Sequence, residues 1–185
     1  GGDNVVTGIG FDPKINPGLI CLKWMASRGS LADDVFFKWS KGKSGSGQYY
    51  GLWITDNGGG TFKNIWTPNN HARNGLYVSD TSTRGELYLL SVEHHNQVET
   101  VFENVCNWFV CALQTEVIRN GGEKTVAVEM KNCHDIEFAN LFLFRAGLDV
   151  RFPYAMKLTD CSNLTFRGIH NFVYRAIPYD TILYD

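Results

Sequence analysis

The 185-residue sequence has no dense run of lysine or arginine and a formal net charge of −2. The positive footprint that nucleic-acid binding requires is therefore missing, and no nucleic-acid partner is expected. No run of about eighteen apolar residues occurs, which excludes a membrane-spanning helix. The five cysteines (Cys21, Cys106, Cys111, Cys133, Cys161) form no CxxC pair and no metal-ligand spacing. HExxH, P-loop, GxSxG and dinucleotide fingerprints are all absent, so no metal or cofactor is expected. Helical periodicity is hard to find anywhere in the chain, and this points away from bundles and α/β folds.

A repeat is present instead. An apolar residue, two mostly small or polar residues and a branched aliphatic recur every 21 to 30 residues. The motif reads Val6–Ile9, Ala32–Val35, Phe62–Ile65, Leu89–Val92, Val110–Leu113, Phe138–Leu141 and Phe166–Ile169. A strand-like repeat of this length is the mark of a solenoid that stacks one coil per repeat. The predicted fold is all-β, a parallel β-helix of about seven coils forming one domain over residues 1–185. Hydrophobic content of 44% agrees with one real core. Ile9, Val35, Ile65, Val92, Leu113, Leu141 and Ile169 are expected to stack as one aliphatic ladder, each contributing about 1.5–3 kcal/mol on burial. Neither end carries an evident cap, so further coils are expected in a longer parent protein.

Each coil carries a second strand, as in Val126–Lys131, where apolar and polar residues alternate. Polar ladders mark the corners: Asp56, Asp80, Asn104, Asn132 and Asp160, then Asn107, Asp135 and Asn163. Asn and Asp tolerate left-handed conformations and satisfy backbone groups, so these ladders read as structural. Cys133 and Cys161 fall at equivalent positions of successive repeats and read as stacked free thiols, with a disulfide between neighbouring coils as the alternative. Two insertions, Lys41–Gln48 and Thr67–Arg73, read as loops.

Residues flanking the inward aliphatic point outward. That face runs through Phe36 and Lys38, Trp66 and Pro68, Glu93 and His95, Gln114 and Glu116, then Phe142 and Phe144. Aromatics at both ends bracket a polar centre. Glu93 and Glu116 are expected on adjacent coils offset by two residues, with Cα atoms about 8 Å apart. Their carboxyl groups would span the separations of both retaining and inverting glycosidases. His95 is placed beside them to tune a carboxylate or bind a hydroxyl. His94 and His95 are chain neighbours on opposite faces of a strand and do not share an ion.

The stretch GLWITDNGGGTFKNIWTP (residues 51–68), with Gly75–Thr83, Ser91–His95 and Ala112–Glu116, resembles secreted microbial proteins of the pectate-lyase-like β-helix superfamily. These are glycoside-hydrolase-related and more distantly similar to family 55 exo-β-1,3-glucanases. The resemblance implies a right-handed, single-stranded parallel β-helix, a secreted location and a polysaccharide or oligosaccharide partner. It implies an acidic groove on the outer face, here around Glu93, His95, Gln114 and Glu116.

Three readings follow. A glycoside hydrolase on a neutral β-glucan would use Glu93 and Glu116 as its acid pair, with His95. A carbohydrate-binding module would stack sugars on Trp66, Phe36, Phe142 and Trp53, with Gln114 and Lys38 binding hydroxyls. A polysaccharide lyase would need cations, for which Lys38, Arg145 and Arg151 are the candidates. Two glutamates in the groove favour neutral glycans over uronates.

Overall fold

The computed structural model describes residues 2–12, 16, 18–38, 50–68, 72–118 and 125–185; the expected 41–48 loop and part of the 67–73 loop lie outside them. Among the described residues thirteen strands occur in chain order. They are β1 (Val5–Phe11), β2 (Ile20–Trp24), β3 (Leu31–Phe37), β4 (Tyr50–Ile54), β5 (Gly60–Pro68), β6 (Asn74–Thr81) and β7 (Gly85–Glu93). The long β8 (Val98–Ile118) is followed by β9 (Val126–Lys131), β10 (His134–Ala146), β11 (Phe152–Thr159), β12 (Ser162–Tyr174) and β13 (Tyr179–Tyr184).

Strands alternate between two parallel faces. The first stacks β1, β3, β5, β7, the second half of β8, β10 and β12. The second stacks β2, β4, β6, the first half of β8, β9, β11 and β13. Every pairing is parallel and links one coil to the next. This is a parallel β-helix, with seven strands in each face joined by about six full turns.

The core lies between the faces. Ala32, Phe62, Leu87, Val110 and Phe138 form one inward column of the first face and all are buried. Phe102, Met130 and Leu158 form an inward column of the second, as expected. Phe102 of the second face meets Trp108 and Phe138 of the first at ring distances of 6.2 and 5.7 Å, which ties the two faces together, and Phe62 packs on Trp108 at 6.0 Å within the first.

The aliphatic ladder differs from expectation at one rung. Ile65 pairs with Leu90, and Leu90 with Leu113. Val92 lies two residues further on, between Thr67 and Thr115. What defines the ladder is the residue before each aliphatic. Gly8, Asp34, Asn64, Leu89, Ala112, Asn140 and Gly168 all have φ between 51° and 70°. That left-handed residue kinks each strand at the same register, so the next side chain turns inward.

The corner ladders are structural. Asp56, Asp80, Asn104, Asn132 and Asp160 all have φ near 50–56°. Asn104 Nδ2 donates to Asp80 Oδ1 at 2.7 Å, and Asn132 Nδ2 to Asn104 Oδ1 at 3.1 Å. The five cysteines are free thiols. Burial raises Cys133 to about 12.

Candidate functional site

The shift from Val92 to Leu90 resets the outer face of the first sheet. One column runs Phe36, Trp66, Ser91, Gln114, Phe142 and His170. The next runs Pro68, Glu93, Glu116, Phe144 and Phe172. Glu93 and Glu116 are therefore directly in register on adjacent coils, not offset by two. Their backbones stand one strand spacing apart, about 4.8 Å.

Both carboxylates are oriented by neighbours. Ser91 Oγ and Gln114 Nε2 both donate to Glu93 Oε1, the latter at 3.1 Å. Glu116 Oε1 lies 3.5 Å from His94 Nε2. Donor atoms of Glu93, His94 and Glu116 all fall within 4.8 Å of one another. Of these neighbours Gln114 is named on this face from the sequence, and Ser91 and His94 are not placed there. Ser91 becomes visible only once Leu90 is known to be the inward rung.

His95 is not on this face. Its side chain is buried, with Nδ1 against Glu99 Oε2 and Nε2 3.0 Å from Thr67 Oγ1. The chain leaves β7 with His94 at φ 67°, so the imidazole expected outside swings into the core. Burial pushes His95 down to about 3 and Glu99 well above the usual carboxylate range. The pair then holds one proton between two neutral partners at neutral pH. Space for the ring comes from Gly75, where a Cβ would overlap it. The His95 amide donates to Glu99, and the His94 amide donates to the Glu116 carbonyl at 2.9 Å. The turn is thus pinned from beneath and from the next coil.

Aromatics flank the polar patch. Trp66 is 48% exposed and meets Phe36, 37% exposed, at a ring distance of 5.2 Å. On the other side Phe142 stacks on His170 at 4.8 Å and on Phe172 at 6.2 Å, with planes within 13°. Along this one column Trp66 and Phe142 stand three coil steps apart, about 14 Å. Lys38 pairs with Asp12 at 2.9 Å.

Trp53 belongs elsewhere. It lies on the second face, stacked with Tyr50 and Tyr77 at 5.5 and 5.7 Å and donating to Ser79 Oγ at 3.0 Å. A cavity of about 340 Å³ beside it is lined by Tyr50, Tyr77, Glu103, Glu129 and Lys131. Several of its charged groups are satisfied internally: Tyr77 donates to Glu103 at 2.8 Å, and Lys131 to Glu103 at 3.4 Å. The cations named for a lyase are also displaced. Arg145 is buried, donating to the Val150 carbonyl between the Phe152 and Tyr179 rings. Arg151 pairs with Asp180 at 2.6 Å.

No family model matches the sequence, and no curated protein matches it. Among solved structures the chain is similar to the A-module of mannuronan C-5 epimerase AlgE4 from Azotobacter vinelandii, with a TM-score of 0.59 and 8% identity. The match covers 98% of this chain and 54% of that one, so the chain spans about half its length. At this identity the likeness shows the fold, a parallel β-helix, and only the fold.

Proposed function

We propose that this chain is a carbohydrate-active β-helix domain that binds a polysaccharide across the outer face of its first sheet. One observation carries the reading. Two exposed aromatic stacks stand on one flat face about 14 Å apart, with Ser91, Glu93, Gln114 and Glu116 between them. Aromatic faces stack on sugar rings, and the carboxylates and amide between them accept and donate to hydroxyls. The negative patch suits a neutral glycan, such as a β-glucan, and repels uronates. The solved neighbour's name says that it acts on mannuronan. That supports a polysaccharide ligand and makes a polyuronate the informative comparison.

A second reading, hydrolysis by Glu93 and Glu116, rests on the closeness of the two carboxylates. Donor atoms within 4.8 Å of each other sit near the retaining separation of about 5–5.5 Å. Both carboxylates project from the same sheet face, so they line one side of a bound chain rather than flanking a bond. Binding is the better-supported activity.

The test is binding and turnover on soluble β-1,3-glucan, β-1,4-glucan and polyuronate. Trp66→Ala is expected to weaken glucan binding at least about tenfold, or 1.4 kcal/mol, with no effect on any residual polyuronate binding. Turnover that disappears in Glu93→Gln or Glu116→Gln, with binding kept, would establish the hydrolase reading instead. Wild-type protein that binds none of the three retires both.

A further inference from the structure

We propose that Glu93, His94 and Glu116 form a site for one divalent metal ion of the zinc or manganese kind. The proposal stands on the geometry of these three side chains and does not depend on which glycan, if any, lies above them.

The donors converge. Each residue offers one ligand atom, and all lie within 4.8 Å of one another. Metal–ligand bonds of about 2.0–2.2 Å place tetrahedral donors about 3.4 Å apart. His94 Nε2 and Glu116 Oε1, at 3.5 Å, already have that spacing. Glu93 supplies the third donor, within 4.8 Å of the other two.

Charge points the same way. Two glutamates directly opposite on adjacent strands repel. Among the described residues Glu93 enters no ion pair, and Glu116 has one only with His94. A divalent ion cancels the two negative charges exactly where they meet.

The surroundings are arranged as the outer shell of a metal site is. Ser91 and Gln114 both donate to Oε1 of Glu93, which fixes the carboxylate and leaves Oε2 for an ion. His94 reaches Glu116 only because it adopts φ 67°, a conformation uncommon for a residue with a side chain. The buried Thr67–His95–Glu99 chain and the His94 amide bond to Glu116 hold it there. Two carboxylates and one imidazole suit Zn²⁺ or Mn²⁺. Ca²⁺ needs six to eight oxygens, and Cu⁺ prefers sulfur.

The experiment titrates Zn²⁺ into the chelator-stripped full chain, without glycan, by calorimetry, and records the visible spectrum of the Co²⁺ form. One equivalent is expected to bind. His94→Ala and Glu116→Gln should each weaken it at least tenfold, and Gln114→Ala roughly tenfold through lost carboxylate orientation. His134→Ala, at an exposed histidine on another corner, should change nothing. The two ligand side chains are about one-fifth exposed, and circular dichroism checks that each variant is folded. The proposal is overturned if the wild type binds no ion at millimolar Zn²⁺. It is equally overturned if folded His94→Ala and Glu116→Gln bind as the wild type does, or if Co²⁺ shows a thiolate charge-transfer band that places the ion on a cysteine.

Discussion

Seven left-handed residues, one per coil, set the inward turn of the first sheet. Five are Gly, Asn or Asp, which adopt that conformation readily; Leu89 and Ala112 are not. Left-handed backbone costs an ordinary L-residue about 1–2 kcal/mol, and Leu89 recovers little by packing because it is 62% exposed. Both strained residues lie on the two coils that carry Glu93 and Glu116. Backbone strain of this kind gathers where function over-determines structure. Leu89→Asn, the residue already found at the equivalent positions 64 and 140, is expected to stabilise the chain by about 1 kcal/mol. Urea denaturation would read it as a higher midpoint at constant slope. A lower or unchanged midpoint would mean that the leucine side chain contributes more than its exposure indicates.

At the scale of elements, the turn from β7 to β8 shapes the candidate site, and here the sequence misleads for a definable reason. Leu90 and Val92 both point inward on one strand, so alternation alone cannot say which is the ladder rung. The left-handed kink decides, and a leucine gives no sign of it. Two errors follow, the offset of Glu93 from Glu116 and the omission of Ser91, while the exchange of His95 for His94 comes from a second left-handed residue, His94 itself. Trp53 is misplaced differently: it lies in the second-strand stretch Leu52–Thr55, and grouping it with Trp66 overlooks that the two strands of a coil belong to different faces. The corner ladders were legible because Asn and Asp announce their conformation. The buried His95–Glu99 pair gives this turn a pH dependence. Folded, the pair holds one proton; unfolded, it holds two below about pH 4.5, one between about 4.5 and 6.5, and none above. Stability from the pair is therefore flat between those values. It falls as pH drops below 4.5, where the unfolded chain binds more protons, and falls as pH rises above 6.5, where the folded chain does. Glu99→Gln removes the carboxyl proton, and the fall between pH 6.5 and 8 should vanish. Denaturation midpoints across pH 4–8 measure this; an unaltered upper limb in Glu99→Gln would assign it to other groups.

On the scale of the whole molecule, the solenoid was the most legible property, because each coil repeats the same solution and errors in one do not propagate. Strands pair only with the coil before and the coil after, so stability is a sum of local interfaces rather than one global core. The central coils, β5 to β10, have both sheet faces covered by neighbours, and Phe62, Phe102, Trp108 and Phe138 interlock there with almost no exposure. The outer coils differ. Val5 is 68% exposed and Ile9 41%, while Phe172 and Tyr174 in β12 are 49% and 55% exposed. Opening free energies should then grade along the axis, lowest in β1 and β12 and highest in β7, β8 and β10. Amide exchange on the 185-residue chain tests this directly. Graded protection would show that the candidate site occupies the most rigid coils, where in-register carboxylates are held at fixed spacing. Uniform protection from β1 to β13 would mean the coils open as one unit, and the additive picture of this fold would be wrong.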